Sequence, residues 1–196
     1  MQAEFDRQQD ELRALNERLF RASITDELTG VYNRRHLVTR AEEELGRARR
    51  YHHPLGCLFV DLDHFKRIND TWGHAAGDQV LEHFASTLKH RLRTSDLVGR
   101  YGGEEFVVLL PETEPANVER AAEKILELVR STSFRGLPEG AQLTVSIGTS
   151  SFNVRGPSTV DELFDRADEA LYRAKRAGRD RVESHPPKLV LARPAE

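Results

Sequence analysis

The sequence predicts a mixed α/β domain, because apolar strand-like runs alternate along the chain with amphipathic helix-like segments. Two runs near the middle, 55–63 and 106–110, are continuous and apolar, as expected of buried strands. Apolar residues recur at helical spacing in the segments 114–131 and 160–177. A further strand is predicted at 143–149, between these two helices. We therefore expect a central sheet surrounded by helices.

Composition and charge are those of an ordinary globular protein. The chain has 196 residues, of which 38% are hydrophobic, and this is enough for one domain with a real core. A net charge of −3 gives no sign of a protein that binds nucleic acid or a membrane surface. We interpret the single cysteine, Cys57, as a small buried hydrophobe. Without disulfide potential, a membrane-length apolar run or a secretory signal, a cytoplasmic protein is expected.

Residues 1–24 predict one exposed amphipathic helix. Its apolar residues follow a heptad pattern, with Phe5, Leu12 and Leu19 at one position and Leu15 and Ala22 at the companion position. About three heptads make a helix that is marginal in isolation. We favour a parallel dimerising stalk over a helix that folds back onto its own domain. The domain would then cover residues 25–184, with Asn33 capping its first helix, and residues 185–196 would form a flexible tail.

The stretch 100–106 predicts a β-hairpin turn that carries two acids. Gly102 and Gly103 lie between strand-like runs, and glycine tolerates the positive φ that a tight turn needs. Glu104 and Glu105 place two like charges beside an apolar strand, which costs energy unless a cation or a bound group offsets them. Taken alone, the segment is more often a solvated turn that carries incidental acids, and a second segment is needed to indicate a site.

The strand predicted at 55–63 also ends in acids, Asp61 and Asp63. Strand alternation puts both on the same face, and we expect one of them to point into a site. With Glu104 and Glu105, a strand-end aspartate would form an all-oxygen cluster that suits Mg²⁺ or Mn²⁺. Mg²⁺ commonly uses few protein carboxylates, and phosphates complete its shell. The pattern indicates nucleotide chemistry, and surface acids at strand ends are the alternative.

The residues that follow this strand predict a region that binds phosphate and base. A helix that begins just past the strand, with Lys66 in its first turn, would offer backbone N–H groups and a positive dipole end to phosphate. Asn69 and Asp78 bracket a predicted loop, 71–78, which leads into a helix at 79–93. An aspartate accepts two hydrogen bonds at once, which suits the N1–H and N2–H edge of guanine, and an asparagine can recognise the rest of the base. Each residue is also a common turn or cap residue.

These segments, taken in order, resemble the GGDEF domain of diguanylate cyclases, here in a GGEEF form. The matching motifs lie at 26–35, 61–70, 73–78, 102–106, 145–148 and 167–179, so that the resemblance spans about residues 24–184. It implies a polymerase-palm-like fold of the nucleotidyl-cyclase kind, with an antiparallel-containing sheet wrapped by helices. It also implies that two subunits, each holding one GTP, face each other and condense the two molecules to cyclic di-GMP with release of pyrophosphate.

Carried over by motif position, the resemblance implies roles for individual residues. The implied groups are Asp61, the carbonyl of Leu62, Glu104 and Glu105 for a bound Mg²⁺ or Mn²⁺; Asn69 and Asp78 for the guanine of GTP; Lys66, Lys175 and Arg179 for its phosphates; and Phe65 as a further substrate-binding residue. Among these, Glu104 is the strongest candidate for deprotonating the 3′-hydroxyl, with Glu105 and Lys66 as its catalytic neighbours.

Arg93 and Asp96 match the family's RxxD product-inhibition site. By chemistry alone Arg93 would have a structural role, because a cation in the last turn of a helix is favoured by the helix dipole. The resemblance implies instead that this guanidinium and carboxylate hold the guanine and phosphate of cyclic di-GMP. The sequence thus predicts a diguanylate cyclase that forms homodimers. The alternative is a catalytically silent domain that senses cyclic di-GMP or GTP.

Overall fold

The structure is a computed structural model that describes residues 2–153 and 158–185. Its strands in this part of the chain are β1 (Tyr32–Asn33), β2 (Leu55–Leu62), β3 (Leu97–Gly102), β4 (Glu105–Pro111), β5 (Val145–Phe152) and β6 (Arg181–Ser184). Its helices are α1 (Gln2–Ile24), α2 (Arg34–Tyr51), α3 (Phe65–Trp72), α4 (His74–Arg91), α5 (Pro115–Ser131) and α6 (Val160–Arg176).

The strands form a single sheet in the order β1-β3-β4-β2-β5-β6. Strand β2 lies between β4 and β5 and is antiparallel to both, whereas the outer pairs β1–β3 and β5–β6 are parallel. This mixed sheet, with helices on both faces, confirms the predicted fold class. Its register brings Asp61 opposite Glu105 on one side and opposite Ser146 on the other.

Every residue of β2 is buried, because helices cover both faces of the strand. Leu58 and Val60 point into a core shared with α4 and α5. Cys57 and Phe59 point into the core on the opposite face, which α2 and α6 cover. The prediction that Cys57 is a buried hydrophobe is confirmed. The consequence for function is that β2 is a rigid support for the acids at its end.

Helix α6 lies unusually close to the sheet because of one glycine. A Cβ atom on Gly148 would collide with the carbonyl oxygen of Ala167 and the backbone nitrogen of Leu171. The bare backbone of β5 therefore lets α6 pack directly on the strand. This contact fixes the height at which the last turn of α6, with Lys175, meets the end of β2.

Two local predictions about the nucleotide region are wrong. The loop predicted at 71–78 is helical except at Gly73, where α3 ends and α4 begins at the next residue. Gly73 has a φ of 83°, which glycine adopts without strain, so a single residue suffices to change the direction of the chain. At its other end, α4 stops at Arg91, and Leu92 is extended, so that Arg93 lies beyond the helix rather than in its last turn.

The two glycines of the hairpin also have a different role from the one predicted. Neither Gly102 nor Gly103 is among the glycines with positive φ. A Cβ atom on Gly102 would lie 3.0 Å from Oε2 of Glu105, whereas one on Gly103 would meet no atom within 4 Å. Gly102 therefore leaves space for the carboxylate of Glu105, and the turn does not depend on left-handed backbone at either glycine.

Most other element predictions are confirmed to within a few residues. Asn33 caps α2 as expected, because its Oδ1 accepts a hydrogen bond from the backbone N–H of His36 at 3.0 Å. The helices predicted at 114–131 and 160–177 are α5 and α6. The strand predicted at 143–149 starts two residues later and runs on to Phe152. The short parallel strands β1 and β6 were not predicted.

The predicted N-terminal helix is present as α1. Leu12, Leu15 and Leu19 are exposed by 58%, 53% and 60%, so this face of the helix is not covered by the chain's own domain. The side chain of Phe5 and the predicted tail beyond residue 185 lie outside the described part of the structure. None of the helices in residues 2–153 and 158–185 is both long enough and apolar enough to cross a membrane.

Candidate active site

The end of β2 and the β3–β4 hairpin bring the predicted acids together. Asp61 pairs with Glu105 across the β2–β4 ladder, and its side chain is buried. The backbone N–H of Leu62 donates to the carbonyl oxygen of Glu104 at 3.3 Å. Asp61, Leu62, Glu104 and Glu105 are therefore immediate neighbours, although more than forty residues of sequence separate the two segments.

The carboxylate of Asp61 has one strong cationic partner, the ammonium group of Lys175, whose Nζ lies 2.7 Å from Oδ2. Burial raises the pKa of Asp61 to about 6. Lys175 opposes this rise, whereas the charges of Glu104 and Glu105 add to it. A single ammonium group thus leaves the ionised form of Asp61 less stable than it would be in water, and a further cation would favour it.

The donor set fits a magnesium-like ion that is only partly coordinated by protein. Among the described residues, no three Asp, Glu, His or Cys side chains converge closely enough to hold a metal. Asp61, Glu104 and the carbonyl of Leu62 offer two carboxylates and one backbone oxygen, all hard ligands. Burial and the charges of Glu104 and Glu105 raise the pKa of Asp61 although Lys175 opposes the rise, so a further cation beside this carboxylate would favour its ionised form. These residues suit a hard cation that takes its remaining ligands from phosphate or water.

Asp63 faces a different set of groups, although it is only two residues from Asp61. Its side chain is fully buried, and it accepts hydrogen bonds from the hydroxyls of Ser146 at 2.7 Å and Thr144 at 2.9 Å. It also accepts from the backbone N–H of Asp180 at 3.1 Å. The two strand-end acids therefore have separate contacts, one with Lys175 and the other with the chain that follows α6.

The turn after α6 carries Arg179 and has unusual backbone. Gly178, Arg179 and Asp180 have φ values of 114°, 63° and 48°. For residues other than glycine, this region costs about 1 kcal/mol or more each. The Nε atom of Arg179 lies 4.0 Å from Oδ1 of Asp63, and its side chain is 43% exposed. Arg179 and Lys175 are thus both held beside the acids at the end of β2.

The residues predicted to bind guanine meet where α3 packs against α4. A Cβ atom on Gly77 would collide with Oδ1 of Asn69 and would lie 3.1 Å from Cζ of Phe65. The absent side chain of Gly77 is therefore what makes room for the Asn69 amide. Asp78, the next residue, is exposed, while Phe65 is buried in the core. The ring of Phe65 packs beneath the contact between Asn69 and Gly77, on the side that faces the core.

Lys66 is exposed in the first turn of α3, as predicted. This turn begins three residues after Leu62, so the lysine is carried by the same strand–helix junction as the acids. An ammonium group in this position is free to reach a phosphate that approaches the junction.

The sequence reasoning missed a contact that fixes the hairpin. The guanidinium of Arg100 donates two hydrogen bonds to the carbonyl oxygen of Gly103, at 2.9 and 2.7 Å. Its Nη1 also contacts both carboxylate oxygens of Asp26, at 3.2 and 3.3 Å. Burial works to raise the pKa of Asp26, but hydrogen bonds from Thr29 and Arg100 outweigh it and lower the pKa. The turn that carries Glu104 is therefore tied to the loop after α1.

The predicted inhibitory pair, Arg93 and Asp96, forms a tight surface turn. Asp96 accepts a hydrogen bond from the backbone N–H of Arg93 at 2.9 Å, and its own N–H donates to the carbonyl oxygen of Arg93 at 3.0 Å. Among the described residues, the guanidinium of Arg93 forms no salt bridge. The two side chains are thus adjacent on an exposed turn, with the guanidinium accessible.

Comparisons with known proteins agree with these features. The family model described as diguanylate cyclase, GGDEF domain, matches residues 23–181. Diguanylate cyclase DgcP of Pseudomonas aeruginosa is 45% identical over 161 residues, which are 82% of this chain and 24% of that protein. Diguanylate cyclase DosC of Escherichia coli is 42% identical over 174 residues, which are 88% of this chain and 37% of that protein.

A solved structure shows the same fold. The coiled coil and GGDEF domain of DgcB from Caulobacter crescentus, in complex with c-di-GMP, matches with a TM-score of 0.80 and 31% identity. The match covers 93% of this chain and 96% of that chain. The chain belongs to the diguanylate cyclase GGDEF domain family, and the resemblance found in the motifs is confirmed. It spans only about a quarter of the length of DgcP and little more than a third of that of DosC.

Proposed function

We propose that this chain is an active diguanylate cyclase that condenses two molecules of GTP to cyclic di-GMP and two molecules of pyrophosphate. The observation that carries the proposal is the pairing of buried Asp61 with Glu105, next to Glu104 and within 2.7 Å of Lys175. Acids and cations thus meet at one strand end, beside an accessible helix junction. A site that transfers a nucleotidyl group needs both, since it holds metal and phosphate together.

In this proposal Asp61, Glu104 and the carbonyl of Leu62 hold Mg²⁺ or Mn²⁺, with Glu105 close by. When bound, such an ion would polarise the 3′-hydroxyl and the phosphate oxygens. Glu104 accepts the proton of the 3′-hydroxyl as the oxygen forms a bond to the α-phosphorus of the other GTP. The bond between the α-phosphorus and pyrophosphate breaks in the same step. Two such transfers, one from each GTP, close the ring.

The cationic side chains have a charge-neutralising role. Lys66, Lys175 and Arg179 contact the phosphates and stabilise the negative charge that develops during transfer. A metal bound by Asp61 would supply positive charge to its carboxylate, and the ammonium group of Lys175 would then be available to contact phosphate. This role is supported by the position of Lys175, 2.7 Å from a buried carboxylate whose pKa is raised by burial and by the charges of Glu104 and Glu105.

Guanine recognition in this proposal depends on Asn69 and Asp78, with Phe65 as their support. The carboxylate of Asp78 accepts hydrogen bonds from N1–H and N2–H of guanine. Adenine presents a lone pair at N1 instead, so in ATP this acceptor would face the carboxylate of Asp78, which is also an acceptor. Discrimination on the order of 10²-fold is expected from such a mismatch.

Two chains are needed because each active centre holds one GTP and the product contains two. The exposed leucines of α1 support a parallel pairing of this helix between subunits, which would raise the local concentration of one domain near the other.

The proposal includes a cytoplasmic location, and product binding at Arg93 and Asp96 as a feedback site. The guanidinium of Arg93 is accessible for this purpose.

The test of the proposed function is incubation of the purified chain with GTP and Mg²⁺, followed by separation of the nucleotides. Cyclic di-GMP and pyrophosphate are expected in a ratio of one to two, and ATP in a parallel reaction should form cyclic product more slowly by about 10²-fold or more. The second candidate, a silent sensor domain, predicts binding of GTP or cyclic di-GMP without turnover. Binding in the absence of any product would favour that candidate and reject the cyclase.

A further inference from the structure

The turn after α6 needs support from outside itself. Gly178, Arg179 and Asp180 are three consecutive residues with positive φ, and only the first is a glycine. Arg179 and Asp180 therefore keep this conformation only where surrounding contacts favour it. Because the side chain of Arg179 starts from this backbone, the contacts that hold the turn also set the direction of its guanidinium.

Asp63 supports the turn from the inside. Its buried Oδ2 accepts a hydrogen bond from the backbone N–H of Asp180 at 3.1 Å. The same carboxylate is held in place by the hydroxyls of Thr144 and Ser146. Ser146 lies in β5, and Asp63 and Thr144 directly adjoin the ends of β2 and β5, so Asp63 gives the turn a fixed point of attachment.

Arg130, near the end of α5, supports the turn from the outside. Its Nε donates to both carboxylate oxygens of Asp180, at 2.9 and 3.1 Å. Its Nη2 donates to the backbone carbonyl oxygen of Asp180 at 2.8 Å. One guanidinium thus fixes the side chain and the backbone of the same residue. Arg130 and Asp63 hold Asp180 between them.

We propose that Arg130 is a positioning residue for GTP binding, which acts with buried Asp63 to hold Asp180 and so directs Arg179 at a phosphate. The inference rests on the phosphate role of Arg179 in the proposed function. Arg130 itself contacts no substrate in this account. A side chain that is already ordered loses less conformational entropy on binding, so the contacts of Arg130 contribute to affinity.

Arg130→Gln is the variant that tests this inference. Arg130 is 47% exposed, so its loss leaves no buried charge behind. A matched control is Arg120→Gln on the same helix, since Arg120 donates a hydrogen bond to Asn117 within that helix, at 3.4 Å, and forms no salt bridge among the described residues. The probe is 3′-deoxy-GTP with Mg²⁺, because it lacks the attacking hydroxyl and binds without turnover.

The dissociation constant of 3′-deoxy-GTP is measured for wild type, Arg130→Gln, Arg179→Ala and the double variant. Arg130→Gln should weaken binding about three- to tenfold. This loss is smaller than the roughly 10- to 100-fold loss that is typical when a residue hydrogen-bonded to a metal ligand is removed. Arg120→Gln should bind as wild type does. In the Arg179→Ala background, Arg130→Gln should cause no further loss, because its effect passes through Arg179. Exchange of the Asp180 amide hydrogen should be faster in Arg130→Gln.

Three results separate the possible failures. Unchanged affinity in Arg130→Gln, or an equal loss with and without Arg179, would overturn the positioning role. Arg179→Ala that binds as tightly as wild type would overturn the phosphate role of Arg179, and this inference with it. Normal binding of 3′-deoxy-GTP, weakened by Arg130→Gln, in a protein that makes no cyclic di-GMP would reject the proposed activity while supporting the positioning role.

Discussion

The ammonium group of Lys175 lies 2.7 Å from the carboxylate of Asp61, and the two residues join the last turn of α6 to the end of β2. The pair is incomplete as a charge balance, because Glu104 and Glu105 add negative charge at the same place. A bound cation would offset the excess negative charge of these carboxylates and so stabilise the folded protein. In a metal-free protein this excess charge is a local cost to folding, which gives the first prediction.

Asp61→Asn should stabilise the metal-free protein at neutral pH. Burial raises the pKa of Asp61 to about 6, so the folded state binds a proton there more tightly than the unfolded state does. The stability associated with this group is fully present below pH ~4 and is lost as the pH rises through about 6. Urea unfolding in a metal chelator should show the variant gaining on wild type across this range, by up to about 3 kcal/mol.

The control for this prediction is the same titration with Mg²⁺ and GTP added. Bound metal should reverse the order of the two proteins at pH 7.5, because it stabilises only the wild type. A difference between wild type and Asp61→Asn that stays constant from pH 4 to pH 8 without metal would contradict the assigned environment of Asp61.

Gly77→Ala should weaken GTP binding without unfolding the protein. The added methyl group would collide with the Asn69 amide and displace it from the position in which we propose that it binds guanine. We expect the KM for GTP to rise about tenfold, since a hydrogen bond to the base is lost. Helix α4 itself tolerates the change, because alanine is favoured over glycine in helices by about 1 kcal/mol.

Gly46→Ala is the matched control, as a Cβ atom at Gly46 in α2 meets nothing within 4 Å. It should leave KM unchanged and raise thermal stability slightly. An unchanged KM in Gly77→Ala would show that Asn69 does not bind GTP in the position seen here.

Arg93→Ala should weaken product inhibition and leave the initial rate unchanged. Arg93 lies on an exposed turn two residues beyond the end of α4, outside the elements α6 and β2 that carry Lys175 and Asp61. Loss of a charged hydrogen-bonding partner should raise the inhibitory concentration of cyclic di-GMP about tenfold or more. Arg91→Ala, in the last turn of α4, is the control. Equal inhibition of all three proteins would exclude this turn as the feedback site.

Specific activity should rise with protein concentration, because two domains must meet. Leu12 and Leu19 are the exposed heptad residues of α1, and replacing both with glutamate should separate the helices. The variant should lose activity at dilute protein and regain part of it on concentration. Ala14→Glu, off the heptad seam, should behave as wild type. If the specific activity of both parent and variant does not change on dilution, then α1 does not control how often two catalytic domains meet.

The sequence predicted the elements of the site better than their mutual contacts. Asp61, Glu104 and Glu105 could be identified because acids at the ends of apolar runs are unusual in any strand. Their closeness follows from the β2–β4 register, with Asp61 opposite Glu105, and single-sequence patterns carry no register. Asp63 was recognised as an acid at the strand end, but its contacts with Ser146 and Asp180 depend on residues far along the chain.

Short or unusual segments explain the remaining errors. Strand β1 has two residues and β6 has four, which is too short for an alternating pattern to show. A loop is predicted at 71–78 because glycines usually mark breaks in a helix. In the structure Gly77 lies inside α4, where its missing side chain makes space for Asn69. Arg100 was overlooked beside the hairpin, since its partner Asp26 is 74 residues away.

The most direct test of the proposed centre is the Glu104→Gln variant, assayed for cyclic di-GMP with GTP and Mg²⁺. The protein concentration is chosen high enough that specific activity no longer rises with it. The substitution keeps the size of the side chain but removes a carboxylate from the acids at the end of β2. The account predicts product formation reduced by about 10³-fold or more, with GTP binding and thermal stability retained and Glu119→Gln on α5 fully active. Near-normal cyclic di-GMP formation by Glu104→Gln would contradict it.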